Sequence, residues 1–369
     1  MTNNISLYFH LPFCVKKCDY CAFYSLADQG EAIKDEYLQA LFRQVSCFQT
    51  LERVTSIYFG GGTPTVFGVD RLCKLLHFIR RRFILTDDCE ITVEVNPKTV
   101  DKDGLLALYE AGFNRLSVGV QSANDEILAQ IGRIHTFADA QRCIEDAHSV
   151  GFTNVSADVI FALPSLTVET LADTLQKIMS TGVNHISAYS LQLEEGTPLY
   201  ARRGTLKLPT EDEEEEQYSL LCDVLKRSGF VHYEVSTFCN DGRYSRHNLA
   251  YWFRRRYFGF GASAHSFYNG RRFSNVADVN RYIELTKDGL FEPTDYFSSP
   301  RITEREAVEE KIMLALRTYR GAIIPESAIP YAKTLADRGF GTLNNTRLVL
   351  NSAGWRVSNT IISEIIDRI

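Results

Sequence analysis

Six short runs rich in β-branched and aromatic residues alternate with amphipathic helical stretches through the first half of the chain. The predicted strands span residues 6–11, 56–59, 90–95, 115–120, 155–160 and 186–192. The helical stretches between them span residues 36–45, 70–79, 103–112, 138–151 and 168–182. Strands that alternate with helices predict a parallel sheet built from βα units. We therefore expect an α/β protein whose six strands form a partial barrel, with an open doubly wound sheet as the alternative.

The last part of the chain has a different pattern. After a loop-rich stretch near residues 293–300, helical patterns span residues 303–321, 325–338 and 359–369, and a short strand spans residues 347–351. This change predicts two domains. Residues 1–292 form the barrel with an extension near 231–268, and residues 293–369 form a small, mainly helical, winged-helix-like domain.

Composition excludes several classes of protein. The chain has 40 Lys and Arg against 46 Asp and Glu, so its net charge of −6 lacks the broad basic field that nucleic-acid binding needs. It has no stretch of about 18 apolar residues that would cross a membrane. The first residues show no basic segment followed by an apolar one, so no secretory signal is predicted. We therefore expect a cytoplasmic protein with reduced cysteines.

Three of the nine cysteines lie within eight residues, directly after the first predicted strand. Cys14, Cys18 and Cys21 have the spacing C-x3-C-x2-C. Thiolates at this spacing bind zinc or an iron–sulfur cluster. Structural zinc needs four ligands, and no fourth Cys or His follows at zinc-finger spacing. The spacing therefore favours a [4Fe–4S] cluster with one open iron, and zinc or inert thiols remain the alternatives.

Two motifs resemble those of the radical S-adenosylmethionine (SAM) superfamily. Residues 9–25, FHLPFCVKKCDYCAFYS, are similar to the superfamily's cluster motif, with Tyr20 as the aromatic residue before the third cysteine. Residues 59–65, FGGGTPT, resemble its glycine-rich motif and follow the second predicted strand. The resemblance implies a radical SAM partial (β/α)6 barrel whose [4Fe–4S] cluster is held by the three cysteines.

The same resemblance implies a set of SAM-binding residues. Gly61, Gly62 and Thr63 would hold the amino end of SAM, and Arg133 would pair with its carboxylate. The remaining members are Glu94 and Asp158 as acceptors, Tyr8 and Tyr20 as flanking rings, and Gln121 and Gln192 at two strand ends. Taken singly, Glu94 or Arg133 would be assigned to a surface ion pair. Because the carboxyl ends of parallel strands meet at one rim, we instead expect a single site.

Residues 113–136, 156–165 and 185–200 resemble the coproporphyrinogen dehydrogenase-like branch of the superfamily. Two functions compete within this branch: oxygen-independent coproporphyrinogen III oxidase and the HemW-type heme chaperone. The oxidase pattern has a fourth cysteine two residues after the third, where this chain has Phe23. HNLAYW at residues 247–252 matches the H-N-x-x-Y-W motif of the chaperones. The resemblance therefore implies a chaperone, with the oxidase and a radical SAM enzyme on another substrate as alternatives.

For the chaperone, the resemblance implies heme bound by His247, with Tyr251 and Trp252 as flat apolar surface. His265 is the reserve ligand, and a purely structural turn is the alternative for the motif. Because the motif follows the sixth strand, we expect it on a connection near the mouth of the barrel. The implied partners are heme, an acceptor hemoprotein and a reductant, and a homodimer is left open.

Overall fold

The computed structural model describes residues 4–287 and 294–369. All six predicted parallel strands are present, and they lie side by side in chain order without closing into a full barrel. The α/β fold with a partial (β/α)6 barrel is confirmed. The strands are β1 (Asn4–Leu11), β2 (Arg53–Gly61), β3 (Leu85–Val95), β4 (Arg115–Gln121), β5 (Val155–Phe161) and β6 (His185–Ser190).

Five further strands, which the sequence analysis missed, extend this sheet at its two edges. They are β7 (Val231–Glu234), β8 (Thr237–Cys239), β9 (Tyr257–Phe260), β10 (His265–Tyr268) and β11 (Arg271–Ser274). The resulting strand order is β11-β10-β9-β1-β2-β3-β4-β5-β6-β8-β7. Strand β9 is parallel to β1, whereas β8 is antiparallel to β6 and β10 is antiparallel to β9.

The helices follow the strands largely as predicted. The α-helices are α1 (Glu31–Cys47), α2 (Pro64–Phe67), α3 (Val69–Arg82), α4 (Lys102–Ala111), α5 (Asp125–Gln130), α6 (Phe137–Val150), α7 (Val168–Ser180), α8 (Pro198–Ala201), α9 (Glu211–Arg227), α10 (Arg246–Trp252), α11 (Val279–Lys287), α12 (Glu304–Ala315), α13 (Ile329–Asp337), α14 (Ser352–Arg356) and α15 (Ser358–Ile366). Gly112 and Gly151 end α4 and α6 in the left-handed conformation, which glycine adopts at little cost. No helix within the described ranges combines the length and the apolar character needed to cross a membrane.

Apolar and polar side chains alternate along the strands, so the sheet has one apolar face and one polar face. Phe9 stacks on Phe59 of the neighbouring strand with 5.1 Å between ring centroids, and both rings are fully buried. On the opposite face, Ser56 Oγ donates to Ser6 Oγ at 2.8 Å. Because successive side chains of a strand point to opposite faces, the apolar face packs against the helices and the polar face lines the barrel interior. The interior is thereby left available for a polar site.

The C-terminal unit has its own small sheet and apolar core. Three antiparallel strands, β12 (Ala322–Ile323), β13 (Gly341–Asn344) and β14 (Arg347–Leu350), pack with α12–α15 around buried residues such as Trp355. The sequence analysis predicted one of these strands. Glu310 of α12 accepts hydrogen bonds from Arg254 at 2.6 Å and from Arg272 at 2.8 Å, which joins the unit to the barrel extension. The predicted boundary at 292/293 lies outside the described residues.

Candidate functional site

A cavity of about 570 Å³ opens where the six parallel strands end. Residues 13–25, which carry Cys14, Cys18 and Cys21, are called the cysteine loop below. The structure brings these three cysteines and nine of the ten predicted SAM-binding residues to the wall of the cavity. These lining residues are Cys14, Cys18, Cys21, Tyr20, Gly61, Gly62, Thr63, Glu94, Gln121, Arg133, Asp158 and Gln192. Residues that are far apart in the chain therefore meet in one place, as expected for the carboxyl ends of parallel strands.

The glycine-rich loop packs directly against the cysteine loop. Thr63 N–H donates to the carbonyl oxygen of Phe13 at 2.7 Å. A Cβ at Gly62 would lie 2.8 Å from the backbone nitrogen of Phe13, and a Cβ at Gly61 would lie 2.6 Å from the His10 ring. Gly61 also has φ of +112°, which disfavours residues with a side chain. These glycines are therefore needed for contact between the two loops, besides any approach to a ligand.

A continuous chain of polar contacts joins two of the cysteines. Thr63 Oγ1 donates to Cys14 Sγ at 3.8 Å and accepts from Asn96 Nδ2 at 2.7 Å. Arg133 then donates to Asn96 Oδ1 at 2.6 Å and to Cys18 Sγ at 3.5 Å. Asn96 is not among the predicted site residues, although its position just past the third predicted strand could have indicated it. These contacts orient the cysteine loop and direct hydrogen-bond donors toward its sulfur atoms.

The cysteine loop has the donor chemistry of a thiolate-ligated cluster. All three thiols are free and partly exposed, and burial raises the pKa of Cys14 and of Cys21. Donors aimed at sulfur, as at Cys14 and Cys18, stabilise thiolate ligands. The three free thiols, with donors aimed at two of them, have the chemistry that a thiolate-ligated cluster needs.

Two buried carboxyl groups face the cavity. Glu94 accepts hydrogen bonds from Tyr58 Oη at 2.8 Å and from Gly61 N–H at 3.2 Å. Asp158 accepts one from Ser117 Oγ at 3.1 Å. Burial is the largest cause that raises the pKa of Glu94 to about 7 and the pKa of Asp158 to about 6. Carboxyl groups that titrate near neutral pH inside a cavity are typical of a site for a polar ligand.

Tyr8 is not among the residues that line this cavity. Its hydroxyl is hydrogen-bonded to His10 Nδ1 at 3.0 Å, and its ring stacks on Tyr58 with 6.2 Å between centroids. Tyr58 does line the cavity. Tyr8 thus supports a wall residue, and its direct contact with SAM stays a prediction.

His247 does not lie near the mouth of the barrel, so that prediction is wrong for this residue, whereas Asn248 of the same segment lines the cavity. The segment forms most of α10, and His247 is 1% exposed. Its Nδ1 is 3.0 Å from Ser56 Oγ and its Nε2 is 2.8 Å from Tyr251 Oη. Glu90 of β3, which pairs with Ser56 of β2, accepts from the backbone N–H groups of Arg246 and His247, each at 3.0 Å. Helix α10 therefore begins at the floor of the barrel interior.

The predicted heme residues are thus placed differently from the SAM residues. Both ring nitrogens of His247 are engaged, so iron ligation would first have to break these contacts; that role stays a prediction. Tyr251 and Trp252 line a smaller pocket of about 190 Å³ beside Leu314 of the C-terminal unit. His265 is exposed at the start of β10, which begins at the rim because it runs antiparallel to β9.

A protein-family model described as the radical SAM superfamily matches residues 8–178. The heme chaperone HemW of Bacillus subtilis is 37% identical over 338 residues, which cover 89% of this chain and 88% of that protein. The HemW of Lactococcus lactis is 35% identical, with 86% of this chain and 83% of that protein covered. The HemW of Escherichia coli is also 35% identical, with coverage of 77% and 78%.

Among solved structures, the coproporphyrinogen III oxidase HemN of Escherichia coli superposes with a TM-score of 0.82. The alignment covers 99% of this chain and 89% of that enzyme, at 21% sequence identity. At this identity the likeness concerns the fold alone, from the barrel through the C-terminal unit.

Proposed function

This chain belongs to the HemW family of heme chaperones within the radical SAM superfamily, and on that premise we propose that it binds heme and transfers it to an acceptor hemoprotein. We propose further that it carries a SAM-ligated [4Fe–4S] cluster. The observation that supports the cofactor proposal is the convergence of three thiols and nine SAM-type residues on one cavity wall. A reductant is the implied redox partner. We also propose a cytoplasmic location, which cysteines without disulfide bonds suit. A homodimer stays open.

In this proposal, different residues of the cavity hold the cluster and SAM. Cys14, Cys18 and Cys21 ligate the cluster, and the contacts through Asn96 keep two of these thiols in place. The glycine-rich loop, Glu94 and Asp158 bind and orient SAM. A SAM-ligated [4Fe–4S] cluster supplies one-electron chemistry when bound, while the protein supplies position and electrostatics.

Heme binding is proposed at the rim beside the cysteine loop. Phe23 is 72% exposed and Val15 is 56% exposed there, and both are apolar. His265 offers an imidazole at the rim that needs no rearrangement to meet iron, whereas His247 would have to leave Ser56 and Tyr251. We therefore propose His265 as the first ligand to test, with His247 as the sequence-based alternative.

The proposed function is tested by heme titration and transfer with cluster-loaded protein under anaerobic conditions. We expect the Soret band to saturate at about one heme per chain, since one imidazole supplies the ligand. On mixing with a heme-free cytochrome, the transfer rate should rise with acceptor concentration, because direct transfer requires contact. A rate independent of acceptor concentration would show passive release, and absence of saturable heme binding would refute the proposal.

The affinity for SAM is expected to depend on the ionisation of Glu94. Since burial raises the pKa of Glu94 to about 7, its carboxylate form is the major one at pH 8 and a minor one at pH 6. If the ionised form accepts from SAM, affinity should fall about tenfold between these pH values, by proton linkage at one site.

Glu94→Gln is the matched control for this pH dependence. We expect the variant to bind SAM more weakly at pH 8 and to show a flatter profile between pH 6 and pH 8. Isothermal titration of cluster-loaded wild type and variant gives both profiles. Parallel profiles would show that Glu94 does not control SAM binding.

We expect no conversion of coproporphyrinogen III by the cluster-loaded protein with SAM and a reductant. The reason is Phe23, which occupies the position of the fourth cysteine of the oxidase pattern. Chromatography of the porphyrin products, with the Escherichia coli oxidase as positive control, measures this directly. Protoporphyrinogen formed at a rate comparable to the control would move the assignment to the oxidase.

A further inference from the structure

Arg115 is the largest fully buried side chain among the described residues, and it lines the cavity. It is 1% exposed and lies at the start of β4, opposite Thr92 of β3. This register places it nearer the floor of the barrel than Glu94, which pairs with Ser117 two residues further along β4. The sequence analysis did not consider it as a site residue.

The guanidinium of Arg115 makes no hydrogen bond to the described residues, although its charge opposes the rise that burial causes in the pKa of Glu94 and of Asp158. Its Nε makes no hydrogen bond, and neither does the buried Oγ1 of Thr92 beside it. The two nearby acids receive hydrogen bonds from other groups: Glu94 from Tyr58 and a backbone N–H, and Asp158 from Ser117. Buried polar groups are normally hydrogen-bonded. The buried donors of Arg115 are therefore open to acceptors from a ligand.

The second cavity arginine has a different environment. Arg133 donates to Asn96 Oδ1 at 2.6 Å, to the Gly119 carbonyl at 2.7 Å and to Cys18 Sγ at 3.5 Å. Protein acceptors thus already occupy much of its hydrogen-bonding capacity near the cysteine loop. The free guanidinium at the inner end of the cavity is that of Arg115. A planar guanidinium with free donors binds a carboxylate with two parallel hydrogen bonds.

We propose that Arg115 is a carboxylate-binding residue at the inner end of the cavity and takes an alkyl carboxylate of the ligand bound there. This inference depends on the proposed function, because it assumes that the cavity binds a ligand. Two sources supply the same chemistry: a propionate group of a porphyrin, and the methionyl carboxylate of SAM if it pairs with Arg115 in place of Arg133, the partner that the family resemblance implies.

The first test uses propionate as a minimal probe with cluster-loaded protein. Propionate should raise the melting temperature of the wild type in a saturable way, because a ligand that binds the folded state stabilises it. Arg115→Met should abolish this response, and Arg115→Lys should keep a weaker one, since ammonium lacks the planar pair of donors. Arg227→Met removes an exposed charge from the end of α9 and should respond as the wild type does.

The melting temperature without ligand separates a binding role from a structural one. If Arg115 serves a ligand, Arg115→Met should fold with an unchanged or higher melting temperature, because buried donors that have no acceptor in the protein are removed. A lower melting temperature with an unchanged propionate response would overturn the inference. Arg115→Lys keeps the charge and serves as the second variant if Arg115→Met does not fold.

Two ligand pairs identify the source of the carboxylate. SAM is compared with decarboxylated SAM, and heme is compared with heme dimethyl ester, in wild type and in Arg115→Met. The pair whose preference for the carboxylate form falls about tenfold or more in the variant supplies the group. If neither pair shows a preference for the carboxylate form and propionate does not change the melting temperature of the wild type, the inference is wrong. If heme fails to bind in either form, the proposed chaperone function fails, and the SAM pair still decides the role of Arg115.

Discussion

Replacing Cys18 with alanine is expected to abolish the iron–sulfur cluster. Cys18 lies in the middle of the cysteine loop and receives a hydrogen bond from Arg133 at 3.5 Å. With two thiolates left, the loop should not retain the cube, and iron should fall from about four atoms per chain to less than one. SAM affinity should fall with it, because the open iron is lost. Iron and sulfide assays after anaerobic reconstitution measure the effect.

Cys47→Ala is the matched control, because this cysteine ends α1 and does not line the cavity. We expect that variant to bind iron and sulfide as the wild type does. Zinc without sulfide in the wild type would contradict the cluster assignment. Equal iron loss in both variants would point to general misfolding, which circular dichroism on the same samples would reveal.

Replacing His247 with alanine is expected to lower the free energy of unfolding by about 3 kcal/mol, from two lost hydrogen bonds and a buried cavity. The ring contacts Ser56 and Tyr251 and stacks on Tyr58 with 5.0 Å between centroids. Its loss leaves two buried hydroxyl groups without this partner. Chemical denaturation of the apoprotein measures the change, and His265→Ala, at an exposed position, should stay within about 0.5 kcal/mol of wild type.

The same two variants decide which histidine ligates heme. We expect the heme bound per folded molecule to be unchanged in His247→Ala and strongly reduced in His265→Ala, since His265 is the accessible imidazole at the rim. The opposite result, loss of heme in His247→Ala at unchanged cluster content, would establish the sequence-based assignment. It would also imply that α10 moves when heme binds.

The fold could be predicted because its main elements have strong local patterns. Each barrel strand carries a run of β-branched and aromatic residues, and Gly112 and Gly151 mark helix ends through their left-handed conformation. The edge strands were missed because three or four residues, as in β8 or β9, give too short a pattern to distinguish from a loop. The same holds for the short strands β12 and β13.

The cofactor cavity could be predicted in part. Motifs that follow consecutive strands must meet at one rim, so the cysteine loop, the glycine-rich loop and Arg133 were placed together correctly. Asn96 and Arg115 belong to no short motif, and their importance comes from partners distant in sequence. Asn96 matters because it joins Thr63 to Arg133, and Arg115 because its buried Nε makes no hydrogen bond.

The sequence by itself determined the order of strands and helices, the three-thiol loop and the absence of a fourth cysteine at Phe23, because these depend on composition and short spacings. Only the tertiary structure decided that Asn96 joins Thr63 to Arg133 and that Arg115 lines the cavity. HNLAYW shows the difference. Its residue pattern indicates a heme ligand, but hydrogen bonds from His247 to Glu90 of β3 and Ser56 of β2 hold α10 at the barrel floor. The burial and partners of a side chain depend on residues remote in the chain, and local spacing carries no information about them.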